Sequence, residues 1–222
     1  MTNTAVGIVR YGSYLPYFRL QRELLGAGRG QRTAAGYDED SASMAVEAGR
    51  ETMRDITAPD VLIFATTSPP YAEKLNAATV AAGLGLPDAI RSYELGASSR
   101  MGMSALLLGL DLAQAGQRSL VCAADVVVGN PGGPREASSG DGAVSFLTGP
   151  ADQGLAVARG WASATTELMD VWRLPQDAFA RQWEERFAAE VLTPVVVDVV
   201  GQALRHADIY MEIGRASCRE RV

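Results

Sequence analysis

The sequence predicts an α/β fold on a mixed, mainly parallel sheet, and three observations support this prediction. Short apolar runs such as Val61–Ala65 and Ser119–Ala124 are typical of strands that are buried on both faces. Stretches with helical spacing separate these runs, and such alternation favours parallel strands joined by helices. From Gly129 onward the chain changes to loops and closely spaced runs, which predict neighbouring strands in an antiparallel arrangement.

The individual elements follow from local patterns along the chain. An acidic cluster at Asp38–Asp40 precedes an apolar stripe and predicts a helix start, because carboxylates stabilise a helix N-terminus. The helix that follows Ser99 is apolar on almost every side, which predicts burial between layers. Further strands are predicted at residues 6–11, 93–96, 143–147 and 155–158, and further helices at residues 21–25, 72–83, 177–189 and 194–205.

Composition and charge exclude several classes of function. The chain has 222 residues and a net charge of −6, and an acidic chain without a Lys/Arg cluster argues against a nucleic acid partner. No apolar run reaches membrane-spanning length and the start lacks a signal-peptide pattern, so we expect a cytoplasmic protein without a membrane partner. Cys122 and Cys218 form neither a disulfide framework nor a metal-binding pair. We therefore predict no metal and no cofactor.

The end of the chain has a pattern of its own. Residues 212–222, Glu212 to Val222, show no apolar period and match the in-frame translation of a common sequencing adapter. A genuine basic tail is the alternative. We expect these residues not to be native and to be excluded from the fold, which predicts that the native gene is cut near Met211 and that the chain is a fragment.

The segment Tyr93–Gly102 is the most informative part of the chain. A short extended run ends there at small residues and turns into the apolar helix. A side chain at such a turn lies over free N–H groups and the positive end of the helix dipole, which favour a developing anion. Ser99 occupies this turn, and a serine nucleophile needs an adjacent base. The alternative is that Ser99 only satisfies a buried helix start.

The order and spacing of these segments resemble the thiolase superfamily, specifically its 3-hydroxy-3-methylglutaryl-CoA synthase-like branch. The likeness covers residues 6–205 and includes Gly7–Tyr17, Asp38–Ala48, Ala65–Lys74 and Gly140–Ala143 in addition to the turn. It implies a thiolase-like layered fold with a buried central helix. Residues 1–170 would then be the N-terminal half, and residues 171–211 the start of a truncated C-terminal half.

The resemblance also implies positions for the chemistry. It places the acyl-accepting cysteine of the family at Ser99 and the general acid/base glutamate at Thr67, whose side chain cannot exchange a proton near neutral pH. The family's histidine would lie beyond Met211. The single histidine of the chain, His206, is predicted to be a solvated residue at a helix end, where a cation is favourable, with a catalytic base as the alternative.

Two further residues have a structural and a functional interpretation. Cys122 lies within an apolar strand, and buried cysteines of this kind are usually inert, with a replacement nucleophile as the alternative. Asp141, between two glycines, is predicted to be a turn residue, with the positioning of a loop near a ligand as the alternative.

These features predict a hydroxymethylglutaryl-CoA synthase-like acyltransferase that acts on acyl-CoA thioesters, with Ser99 in place of the nucleophilic cysteine. The expected assembly is a homodimer. The alternative is a non-catalytic thiolase-fold subunit or scaffold, paired with an OB-fold/zinc-ribbon protein or domain. Because Ser99 and Thr67 replace two of the three family groups, we expect this chain not to catalyse thioester condensation.

Overall fold

The computed structural model describes residues 5–209, without the side chains of Gln153 and Glu185, and divides the chain into two compact units between Val157 and Ala158. The strands of the first unit are β1 (Val6–Tyr14), β2 (Phe18–Gln21), β3 (Gln31–Ala34), β4 (Val61–Ala65), β5 (Arg91–Leu95), β6 (Ser119–Asp125), β7 (Gly142–Pro150) and β8 (Ala156–Val157). Its α-helices are α1 (Ser41–Thr52), α2 (Asn76–Gly83), α3 (Met101–Gln114) and α4 (Pro134–Ser138).

Six strands of the first unit form one mixed sheet in the order β5–β4–β6–β7–β1–β8. Strand β4 pairs in parallel with β5 and β6, whereas β7 is antiparallel to both β6 and β1. Strand β1 therefore runs in the same direction as β4, β5 and β6, so that four of the six strands share one direction. The predicted mixed, mainly parallel sheet is confirmed.

Strand β4 is buried along its whole length because helices cover both of its faces. Leu62 and Phe64 pack in a core cluster with residues of α1 and α2, whereas Val61 and Ile63 pack in a second cluster with Ala105 of α3. This division follows from the pleat, which points successive side chains to opposite faces. The apolar run of β4 thus fixes a three-layer arrangement of helix, sheet and helix.

The acidic cluster before α1 acts as predicted. Asp40 is the N-cap residue, its carboxylate accepts a hydrogen bond from the backbone N–H of Ser43 at 2.7 Å, and the Ser43 hydroxyl accepts one from the N–H of Asp40 at 2.8 Å. This reciprocal capping box satisfies two N–H groups that the helix itself leaves free. The helix then buries Met44, Ala45 and Ala48 against the sheet.

Helix α3 packs on the opposite face of the sheet and confirms the layered interpretation. Its buried residues are Ala105, Gly109, Leu110 and Ala113, whereas Leu106 and Leu107 are partly exposed. At Gly109 the helix comes very close to the sheet, since a Cβ atom there would lie 2.8 Å from Val121 Cγ2. The missing side chain is what permits this close packing.

Two details of the first unit differ from expectation. The strands predicted at residues 143–147 and 155–158 are not neighbours, because β1 lies between β7 and β8 in the sheet. The short helix predicted at residues 21–25 is a 3-10 turn at Arg22–Leu25 within a β2–β3 hairpin that the sequence did not reveal. Neither hairpin strand carries the apolar alternation by which strands are recognised.

The second unit contains β9 (Val171–Trp172), β10 (Arg181–Gln182) and α5 (Glu185–His206). The prediction of two helices at residues 177–189 and 194–205 is wrong, because α5 is one helix that continues through Pro194. A proline removes one helical hydrogen bond. One residue earlier, the Thr193 hydroxyl donates to the Ala189 carbonyl at 2.6 Å, which adds a hydrogen bond to this turn.

One expectation about membranes needs correction. Residues Arg186–His206 are long and apolar enough to cross a membrane by length and composition, although the sequence was expected to hold no such run. A single helix of this kind is weak evidence of a membrane span.

Two predictions are not tested by the structure. The residues of the proposed adapter, 212–222, including Cys218, lie outside the described residues. The domain boundaries at 170 and 211 stay predictions.

The contact at Gly109 generates a prediction about stability. Gly109→Ala should lower the free energy of unfolding by about 1–3 kcal/mol, because its Cβ must displace Val121 or move α3 away from the sheet. Gly102→Ala on the same helix is the matched control, since its nearest neighbour would be the Ala123 Cβ at an ordinary 3.6 Å. Urea unfolding measures both variants, and equal stabilities would contradict the close packing.

Candidate active site

The turn between β5 and α3 holds the serine singled out by the sequence. Leu95 ends β5, Ala97 has a left-handed backbone with φ 71°, and α3 begins at Met101. Such a φ is uncommon for a residue with a Cβ atom and is found mostly where surrounding structure imposes it. Ser98 and Ser99 follow directly and are exposed. The chain thus bends sharply just before the helix N-terminus.

Ser99 does not act as a cap for this helix. The N-cap residue of α3 is Arg100, and no side chain makes a capping hydrogen bond there. The neighbouring Ser98 accepts the Arg100 N–H on its hydroxyl at 3.3 Å and the Met101 N–H on its carbonyl at 3.0 Å. The purely structural alternative for Ser99, that it satisfies a buried helix start, is therefore not supported.

Thr67 lies just beyond the carboxyl end of β4, next to a carboxylate from the neighbouring strand. The Oδ1 atom of Asp125, the last residue of β6, accepts hydrogen bonds from the Thr67 N–H at 2.6 Å and the Thr67 hydroxyl at 3.0 Å. The same oxygen accepts the hydroxyls of Thr66 at 3.1 Å and Ser68 at 3.2 Å. One carboxylate oxygen thus gathers four donors from the segment after β4.

Asp125 was not predicted as a site residue, although one signal pointed to it. Asp125 is the first charged residue in a buried apolar run and ends strand β6, and ligands in α/β sheets bind outside the carboxyl ends of the strands. The four donors that reach it come from a segment about 58 positions earlier. Such pairing depends on the register of β4 and β6 and is not visible in local sequence.

A cavity of about 410 Å³ brings these residues together. It opens where β4, β5 and β6 end, and both predicted site residues, Ser99 and Thr67, line it together with Asp125. Met101 and Gly102 also line it, so the N-terminal end of α3 faces the same space. The remaining lining residues are Leu15, Thr33, Ala65, Thr66, Ser98, Ala123, Ala124, Gly140, Asp141, Gly142, Ala143 and Val144.

Asp141 is a second carboxylate in the cavity wall, and its role exceeds that of a turn residue. It is buried, and its two oxygens accept the N–H groups of Ala35 and Val127, each at 2.8 Å. Arg32 lies 3.9 Å from Oδ1. These partners are distant in sequence, so the interpretation as simple turn chemistry is wrong. Asp141 holds the β3 end and the segment after β6 against the cavity.

The two other candidates, Cys122 and His206, have different surroundings. Cys122 is completely buried within β6, and burial raises the pKa of its thiol to about 12. An uncharged, inaccessible thiol is a poor nucleophile. His206 is the last residue of α5 in the second unit, where its exposed ring places Nδ1 2.8 Å from the carbonyl oxygen of Trp161.

Comparisons with known proteins show what the chain resembles in sequence and in fold. No family model matches the chain. A hydroxymethylglutaryl-CoA synthase from Pyrococcus furiosus is 28% identical over 199 residues, covering 83% of this chain and 57% of that relative. The chain is thus similar in sequence to hydroxymethylglutaryl-CoA synthases over most of its length. It spans little more than half the length of the curated relatives that it matches.

Solved structures show the thiolase-like fold directly. 3-Oxoacyl-(acyl carrier protein) synthase III from Pseudomonas aeruginosa superposes with a TM-score of 0.80 at 22% identity, over 92% of this chain and 72% of that one. An HMG-CoA synthase complexed with CoA superposes with a TM-score of 0.77 at 19% identity, over 93% of this chain and 57% of that one. The predicted fold class is confirmed, and the sequence relatives agree with the predicted resemblance.

The geometry at the turn predicts how a cysteine would behave there. Ser99→Cys should react with iodoacetamide at least about tenfold faster than Ala82→Cys on the exposed C-terminal turn of α2, since a thiol near a helix N-terminus is more readily ionised than an ordinary thiol of pKa about 8.5. Cys122 should stay unmodified in the folded protein. Peptide mapping after timed alkylation measures all three sites, and preferential labelling of Cys122 or of the position 82 variant would contradict the arrangement.

Proposed function

We propose that this chain is a hydroxymethylglutaryl-CoA synthase-like acyltransferase that takes acyl-CoA thioesters, with Ser99 in the acyl-accepting position. The observation that carries the proposal is that Ser99 and Thr67 line one cavity. The resemblance implied both residues as the positions of the nucleophile and the acid/base group. Helix α2 and strand β5 separate Thr67 from Ser99 along the chain, and both residues nevertheless line the same cavity.

The helix N-terminus supports the same function. Acyl transfer from a thioester places negative charge on the carbonyl oxygen, and preorganised N–H donors and dipoles stabilise that charge. Met101 and Gly102, in the first turn of α3, line the cavity beside Ser99. A carbonyl held near Ser99 therefore lies in the field of the positive end of α3.

The alternative is a non-catalytic thiolase-fold subunit that pairs with an OB-fold/zinc-ribbon protein or domain. It is favoured by one observation: among the described residues that line the cavity there is neither a cysteine nor a histidine. A subunit of this kind would keep the fold without forming an acyl-enzyme. Homodimer formation is part of the first proposal, and a stable complex with the other partner would belong to the second.

Binding of acetyl-CoA tests the proposed site. Isothermal titration should show that Ser99→Trp weakens acetyl-CoA binding by at least about tenfold, because the indole fills the cavity. Ala78→Trp on the exposed side of α2 is the matched control and should bind as the unaltered chain does. Undiminished binding to Ser99→Trp would place the ligand elsewhere, and no binding to any variant would favour the scaffold.

The replaced groups predict an incomplete reaction. The unaltered chain should not condense acetyl-CoA with acetoacetyl-CoA, because Ser99 replaces the thiol and Thr67 the carboxylate. Ser99→Cys should accept an acetyl group from acetyl-CoA, detected by intact mass, whereas Ser98→Cys should not. Condensation by the unaltered chain, measured as loss of acetoacetyl-CoA absorbance, would show that neither family group is required.

A further inference from the structure

We propose that Asp125 and Thr67 form a proton relay that replaces the missing glutamate, with Asp125 as the general base and Thr67 as the hydroxyl that hands it the proton of Ser99. This inference rests on the proposed function, since it concerns how an acyl group would reach Ser99. It assigns a catalytic part to Asp125, which local sequence patterns do not indicate.

The hydrogen bonds fix the direction of the relay. The Thr67 hydroxyl donates to Asp125 Oδ1 at 3.0 Å, so its single proton points at the carboxylate. A hydroxyl oxygen that donates in this way still has lone pairs with which to accept another proton. Those lone pairs belong to a side chain that lines the cavity together with Ser99. Thr67 can therefore pass on a proton although it cannot hold one near neutral pH.

Asp125 is held firmly enough to serve as a base. The Thr67 N–H and the hydroxyls of Thr66 and Ser68 also donate to Oδ1, and the Ser68 hydroxyl in turn accepts the Val126 N–H at 2.9 Å. These donors approach the carboxylate through a single oxygen and so fix its orientation. A base whose orientation is fixed by its surroundings transfers protons more effectively than a free carboxylate.

A comparison of the carboxylates in the cavity wall also favours Asp125 as the base. The carboxylates that line the cavity within the described part of the chain are Asp125 and Asp141. Both oxygens of Asp141 are engaged by backbone N–H groups, and Arg32 lies beside them. Asp141 therefore serves the packing of the wall, and Asp125 is the carboxylate that a hydroxyl in the cavity connects to the reacting space.

The step is balanced without any further reactant. As Ser99 Oγ bonds to the thioester carbonyl carbon, its proton moves to Thr67 Oγ1 and the Thr67 proton moves to Asp125. The C–S bond then breaks, and the leaving CoA thiolate takes a proton back along the same route. The products are the Ser99 ester and CoASH, and both Thr67 and Asp125 return to their starting states.

The test measures acetylation of Ser99 by acetyl-CoA with intact mass and peptide mapping, beside acetyl-CoA binding by titration calorimetry. Asp125→Asn keeps an oxygen in place of Oδ1 and so preserves the fold, but it should slow acetylation by at least about 100-fold. Thr67→Val should do the same, whereas Thr67→Ser should keep most of the rate. The exposed Asp111→Asn on α3 is the control and should acetylate as the unaltered chain does.

A rescue experiment separates the relay from a structural role. Adding Thr67→Glu to Asp125→Asn should restore acetylation, because the new carboxylate stands where the relay hydroxyl stood; a purely structural role of Asp125 would leave the double variant inactive. Full acetylation of Thr67→Val or Asp125→Asn would overturn the relay. If the unaltered chain binds acetyl-CoA but is not acetylated, the relay is overturned and the proposed binding of acyl-CoA still stands. If it does not bind acetyl-CoA, both the relay and the proposed function are overturned.

Discussion

The hydrogen bonds that converge on Asp125 hold the candidate site together. Strands β4 and β6 lie side by side and end at the same edge of the sheet, and the carboxylate at the end of β6 anchors the segment that leaves β4. Hydrogen bonds to an ionised group contribute about 1.5–3 kcal/mol each, more than bonds between neutral groups. This anchor keeps Thr66 and Thr67 in the cavity wall and holds Ser68 next to them.

The sheet supplies the frame in which this anchor works. The parallel strands β5, β4 and β6 direct their carboxyl ends to one edge, and the sharp turn after β5 brings Ser99 to the same edge. Helix α3 lies close to the sheet because Gly109 has no side chain, and its N-terminal end faces the cavity. The site thus combines a serine, a helix dipole and a partly buried hydroxyl–carboxylate cluster.

Local patterns predicted the parts of the fold in which one physical effect dominates. The continuous apolar run of β4 and the acid cap of α1 were predicted correctly, because burial and capping leave direct traces in sequence. The β2–β3 hairpin was missed because its residues are largely polar, and Pro194 was taken for a helix boundary although α5 continues through it. The role of Asp125 was missed because its partners come together only through the pairing of β4 with β6.

The dependence of the site on Asp125 can be measured most directly at the Thr67 amide, whose N–H lies 2.6 Å from Oδ1. Native-state hydrogen exchange of Asp125→Ala should show this amide exchanging at least about tenfold faster than in the unaltered chain, because it loses a charged acceptor. The Val121 amide in the middle of β6 should be unchanged. Equal exchange rates at Thr67 in the two proteins would show that the carboxylate does not hold this segment and would contradict the anchoring role of Asp125.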